Sequence, residues 1–67
     1  MRISELAKKA GCTVESIRFY ENHDLIPRPP RTESNYRVYG PAHLSRLLFI
    51  RHCRSLDLSL NEIRTLA

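Results

Sequence analysis

Side chains suited to gripping a nucleic acid are concentrated in one short stretch, Thr13 to Leu25, which also carries a helix-start signal. Arg18 offers a planar fork of donors that fits guanine in the major groove or a phosphate, and the Tyr20 hydroxyl can donate to a phosphate oxygen. Thr13 can cap a helix by accepting a hydrogen bond from an amide one turn in, and Glu15 then sits favourably in the positive first turn. Val14, Ile17 and Glu21 or Leu25 recur on one side at three- and four-residue spacing, leaving Glu15, Arg18, Asn22 and Tyr20 directed elsewhere. One face packs and the other can meet a partner, as the recognition helix of a helix-turn-helix does. The plainer alternative is an amphipathic surface helix whose Arg18 pairs with Glu15, Glu21 or Asn22.

Short elements must position that helix. Ile3, Leu6, Ala7 and Ala10 form one stripe, with Ser4 as N-cap and Gly11 as stop, which predicts a first helix over about 4–10. Gly11-Cys12-Thr13 then leaves a tight turn, giving a helix-turn-helix over about 4–24. Ile26-Pro27-Arg28-Pro29-Pro30-Arg31 cannot be helical. Asn35 to Tyr39 alternates aromatic or branched residues with polar ones and reads as a strand, paired near Ile26 in a small β-hairpin, or wing, over about 25–40. Its tip and second strand carry Arg28, Arg31, Asn35, Tyr36, Arg37 and Tyr39, a mixture suited to a phosphate backbone. The alternative for this stretch is a flexible proline-rich linker.

Gly40-Pro41 opens a third helix, about 41–55, with Leu44, Leu47, Leu48, Ile50 and Cys53 on its apolar side and Arg46, Arg51 and Arg54 outward. Ser59 and Glu62 form a capping box for a fourth helix over about 60–67. The expected fold is mainly α with a small β-hairpin, a winged helix-turn-helix of about four helices plus a wing.

A chain of 67 residues is one small domain, near the size at which a single core only just offsets chain entropy. It has no room for a large ligand pocket or an enzyme core, and no nucleophile sits beside a plausible base; the acids read as caps or surface charges. No apolar run approaches the roughly 20 residues of a membrane span. The start, Met1 to Leu6, carries no apolar signal region, so a cytoplasmic location is expected. Eleven Lys and Arg against seven Asp and Glu give a net charge of +4, which favours a polyanionic partner. Nine of the eleven are Arg, and seven of those lie between Arg18 and Arg54 among only three acids. Cys12 and Cys53 lack zinc spacing and read as structural thiols, and His23, His43 and His52 as solvated residues.

Ile17-Arg18-Phe19-Tyr20-Glu21, Tyr36-Arg37-Val38-Tyr39 and Leu60-Asn61-Glu62-Ile63, in that order and separation, resemble the DNA-binding domain of the MerR family of bacterial transcription regulators, over essentially the whole chain. The resemblance implies that Arg18 and Tyr20 on the recognition helix and Arg31, Tyr36, Arg37 and Tyr39 around the wing meet double-stranded DNA, with Arg54 as a further phosphate contact. With Thr13, Glu15, Arg28 and Asn35 these make the expected DNA-binding set. It further implies a homodimer on an inverted-repeat promoter operator, distorted so that RNA polymerase can use it. The stretch from His52 to Asp57 looks most like the heavy-metal-responsive branch. A metal-ion effector would then be sensed beyond Ala67, along with a long dimerisation helix, and no cofactor is expected within these residues. Two alternatives compete: an excisionase-like DNA-bending module, and a small metal-binding or protein-interaction domain using the cysteines and histidines.

Overall fold

Helix ends organise this chain, because three of its helices stop in the same way. The computed structural model describes residues 1–29 and 38–66. Among them run α1 (Ile3–Ala10), α2 (Val14–Asn22), α3 (Pro41–Ser55) and α4 (Leu60–Leu66). Gly11, Asp24 and Asp57 follow α1, α2 and α3 in the left-handed region, at φ of 70°, 57° and 62°. In each case the next amide reaches back to the helix: Cys12 N–H donates to the Ala7 carbonyl at 3.0 Å, Leu25 to Tyr20 at 2.9 Å and Leu58 to Cys53 at 3.2 Å. This is the Schellman arrangement, which satisfies carbonyls that a helix end leaves without partners. Glycine adopts the conformation freely, and aspartate is among the side chains that tolerate it best.

The starts are set by different means. Thr13 accepts the Ser16 amide at 3.1 Å and so caps α2. Ser59 and Glu62 exchange hydrogen bonds of 3.0 and 3.2 Å at the start of α4. The Ser59 backbone amide, and then its hydroxyl, hold the Glu62 carboxyl below the usual carboxylate range. A lowered folded-state value means that the cap is complete above the usual range and is lost as pH falls through the lowered one. Helix α1 departs from expectation. It begins at Ile3 with Arg2, not Ser4, at the N-cap position and no side-chain cap. The Leu6 amide reaches the Arg2 carbonyl at 3.0 Å, and Met1 pairs with Tyr39 through its backbone, so a tertiary contact places this end.

Leu6, Ile17, Leu25, Tyr39, Ile50 and Ile63 are essentially fully buried, with Ala7, Ala10, Ile26, Leu47 and Cys53 around them. Helix α3 is the hub, packing against both α1 and α4, while α1 also packs against α2. Leu48, expected inward, is 46% exposed, because the buried stripe of α3 follows His43, Leu47, Ile50 and Cys53 at helical spacing. No strand occurs among the described residues; most of the expected hairpin, residues 30–37, lies outside them, as does Ala67.

Arginines from α3 and α4 complete the helix ends. Arg51 Nη1 donates to the Ala10 carbonyl at 3.2 Å, and Arg64 donates through Nε and Nη2 to the His23 carbonyl at 3.2 and 2.7 Å. Arg46 Nε reaches the Leu25 carbonyl at 3.0 Å. Arg46 and Arg51, expected to point outward, therefore tie α3 to backbone carbonyls at the end of α1 and just after α2. Positive charge at a helix C-terminus is also favoured by the helix dipole.

A Cβ added at Gly11 would lie 2.3 Å from Arg51 Nη1, at a backbone conformation that disfavours any side chain. Gly11→Ala is expected to destabilise the fold by about 1–2 kcal/mol, read as a lowered urea midpoint. In the Arg51→Ala background the loss should shrink, since the clash is gone and only the backbone strain remains. Full additivity of the two substitutions would mean that Arg51 does not occupy this position.

Candidate nucleic-acid interface

The capped start at Thr13 and the buried pair Ile17 and Glu21 fix which way α2 faces. Arg18, Glu15, Phe19 and Asn22 consequently stand exposed, and Tyr20 is half-buried. Arg18 is paired with no described residue, so the plainer alternative, in which Glu15, Glu21 or Asn22 ties it up, is not realised. Glu15, Ser16, Phe19 and Tyr20 line one wall of an open cleft of about 420 Å³ whose other wall is Arg54 and Leu60. The fold thus brings Arg54 beside Tyr20, although 34 positions separate them in the chain. Arg54 also lines a smaller cavity of about 180 Å³ with Cys12, Tyr20 and Arg51.

The other expected DNA-facing residues divide. Arg28 is exposed in a separate groove of about 520 Å³ bordered by Asp24, Ile26, Ala42 and Arg46. Thr13 uses its hydroxyl locally, accepting from the Ser16 amide and donating to Ser16 Oγ at 2.9 Å. Arg31, Asn35, Tyr36 and Arg37 lie outside the described residues.

Tyr39 is a correction. Expected on the second strand of the wing as a DNA contact, it is 1% exposed, and its hydroxyl donates to Glu21 Oε1. The reason is energetic: Glu21 is 4% exposed on the packing side of α2, and a buried carboxylate needs donors. The Tyr39 ring also meets the His43 ring edge to face at 5.3 Å. His43, expected in solvent, is buried as well, with Nδ1 accepting the Gly40 amide at 2.9 Å. Glu21, Tyr39 and His43 so join the recognition helix, the segment after residue 37 and the start of α3.

Phe19 and His23 were not among the residues expected to meet DNA. Their rings lie 4.2 Å apart at 44° on the outer side of α2, and Phe19 is 45% exposed. Four-residue spacing on a helix whose buried positions are Ile17 and Glu21 was the available signal.

The cysteines offer little chemistry. Cys53 is buried, Cys12 is half-buried, and both are free. Burial pushes the Cys12 thiol up, with the Arg51 guanidinium pulling partly the other way. A thiol held protonated is a weak nucleophile and a weak ligand. Among the described residues no three His, Cys, Asp or Glu side chains gather to hold a metal ion. None of the described helices is long and apolar enough to cross a membrane.

Two short helices joined by a three-residue turn and braced by a third, with an exposed arginine on the second, define a helix-turn-helix domain. The chain belongs to the MerR HTH family of regulatory proteins, which matches residues 1–67. It is 58% identical over 66 residues to the HTH-type transcriptional regulator ZntR homolog of Haemophilus influenzae, covering 98% of this chain and 49% of that protein. The mercuric resistance operon regulatory protein of Bacillus cereus is 50% identical over 62 residues, 92% of this chain and 47% of the other. The chain spans about half the length of these relatives. Among solved structures, the transcription regulator PbrR691 of Ralstonia metallidurans in complex with lead(II) superposes with a TM-score of 0.93 at 57% identity, over 98% of this chain and 52% of that one. HiNmlR, a MerR family regulator lacking the sensor domain and bound to promoter DNA, shares the fold, with a TM-score of 0.88 at 24% identity over 98% of this chain and 50% of that one.

Tyr39→Phe is expected to lower stability by about 1–3 kcal/mol, measured by urea unfolding, because it removes a donor from a buried carboxylate. An unchanged urea midpoint would show that this hydrogen bond contributes nothing net.

Proposed function

We propose that this chain is the sequence-specific, double-stranded DNA-binding domain of a MerR-type transcription regulator, with no enzymatic activity. The observation that carries the proposal is the outer face of α2, which bears an exposed Arg18 paired with no described residue and, through Phe19 and Tyr20, one wall of the cleft that Arg54 closes. Helix α2 enters the major groove, which is wide enough for it. Arg18 meets a base edge, while Tyr20 and Arg54 hold phosphates that fix the register. Arg28 and the residues at 31, 35, 36 and 37 grip the backbone from a β-hairpin wing over about 25–40. Thr13 and Glu15 border the groove at the start of α2.

Membership of the family and the promoter-bound HiNmlR structure support the DNA assignment. The whole regulator binds an inverted repeat as a homodimer in the cytoplasm and distorts it for RNA polymerase. A bent operator makes base-step deformability part of the specificity. The effector is a heavy metal ion, in keeping with the names of the ZntR-type relative and the lead complex of PbrR691. In such relatives this chain matches about half the length, and we assign effector binding to the half it does not match.

Fluorescence anisotropy of labelled duplexes selected from a random pool, at two salt concentrations, tests the reading. Arg18→Ala should lose about 1–3 kcal/mol of specific binding and relax base preference. Arg37→Ala should weaken all sequences alike and flatten the salt slope by about 1. Salt-insensitive binding, or none even when two domains are joined to gain avidity, would refute the function. Equal loss of specificity from both substitutions would refute the division of roles.

A further inference from the structure

Every outward side chain of α2 but one is a hydrogen-bonding type. Glu15, Arg18 and Asn22 are exposed around Phe19, which places a bare phenyl ring, 45% exposed, in the middle of that face. Covering the exposed part of that ring with an apolar group of a partner would be favourable. The ring is also fixed in direction. His23 lies against it at 4.2 Å from the next turn, and Tyr20 meets it edge-on at 5.9 Å and 72°. A ring held on two sides presents its remaining surface without much rotamer entropy left to lose.

We infer that Phe19 is a specificity-determining residue that packs against the C5-methyl group of thymine in the major groove, an inference that rests on the DNA-binding reading above. Base-edge chemistry supports it. In the major groove guanine is matched by arginine, adenine by asparagine and cytosine by a carboxylate, whereas thymine carries, besides its O4 acceptor, a C5-methyl group that an apolar surface such as a phenyl ring packs against. Arg18, Asn22 and Glu15 supply the first three types on the exposed face of α2, and Phe19 supplies the fourth. Charge favours the same occupant. Phe19 lines the cleft that Arg54 closes, with Glu15 on the same wall as the ring, and in a chain of net charge +4 a partner that covers the ring and meets the Arg54 guanidinium is best a polyanion.

The test combines a substitution in the protein with one in the DNA. Duplexes selected from a random pool by the wild-type chain are prepared with thymine and again with deoxyuridine in its place, which deletes the methyl groups and keeps base pairing. Wild type should bind the deoxyuridine duplex about fourfold more weakly per contacted methyl, the factor that burial of one such group, about 0.8 kcal/mol, corresponds to at 1.4 kcal/mol per tenfold. Phe19→Ala should bind the thymine duplex about as weakly as wild type binds the deoxyuridine duplex, and should respond little to the exchange. Phe19→Leu, which stays apolar, should recover part of the response. Taking the difference between proteins removes any general effect of deoxyuridine on DNA shape.

Equal sensitivity of wild type and Phe19→Ala to the loss of methyl groups would overturn the inference while leaving the DNA-binding function standing. A selected site without thymine would overturn it in the same way, as would unchanged DNA affinity of Phe19→Ala, which would assign the ring to a protein contact. Absence of any salt-sensitive binding by wild type would instead bring down the function and the inference together. Circular dichroism of Phe19→Ala should match wild type, since half of the ring is already in solvent.

Discussion

Two helix C-termini that no local motif fully satisfies are closed by arginines from the other half of the chain. Arg51 of α3 holds the Ala10 carbonyl at the end of α1, and Arg64 of α4 holds the His23 carbonyl at the end of α2. The turns at Gly11 and Asp24 satisfy carbonyls further back in each helix, leaving these outermost ones for the guanidinium groups. The angle between α1 and α2, on which any groove-reading helix depends, is therefore set from outside the helix-turn-helix as well as by the apolar contacts beneath it. In so small a domain, directed hydrogen bonds of this kind supplement a core that has little area to bury.

The second constraint is the buried carboxylate of Glu21. It lies on the packing side of the helix that carries Arg18, and its partner Tyr39 comes from the segment leading into α3. An acid in that position makes α2 dependent on where residues 38–40 sit, and Met1 ties the same segment to the start of α1 through backbone hydrogen bonds. Partly satisfied polar groups are unfavourable in a core, so such a network admits few arrangements. The outer face of α2 is then left to carry function, with Glu15, Arg18, Phe19 and Asn22 in solvent and Arg54 brought alongside.

The order of helices and their ends could be read directly, because the signals are local. Thr13, Gly11, Pro41 and the pair Ser59 and Glu62 each act within one turn of where they stand. Ser4 misled for the same reason: it is a good cap by type, but pairing between Met1 and Tyr39 settles the first turn of α1 two residues earlier. Leu48 misled because a run of apolar residues on α3 conceals which of them the other helices reach.

By itself the sequence determined the helix-turn-helix, the family, and the face of α2 that bears Arg18, since periodicity and capping depend on neighbours in the chain. Only the tertiary structure decided which polar residues work inward. An arginine that closes a helix end and one that borders an open cleft are the same residue type at similar helical positions, and Arg51 and Arg54 differ in what lies within reach, the Ala10 carbonyl for the first and the cleft beside Tyr20 for the second. Tyr39 turned inward because a buried acid 18 residues away needed a partner, whereas the His43 bond to the Gly40 amide three residues back is a local cap. Hydrogen-bonding side chains take their role from what the fold places beside them, whereas caps and apolar stripes take theirs from the next turn of chain.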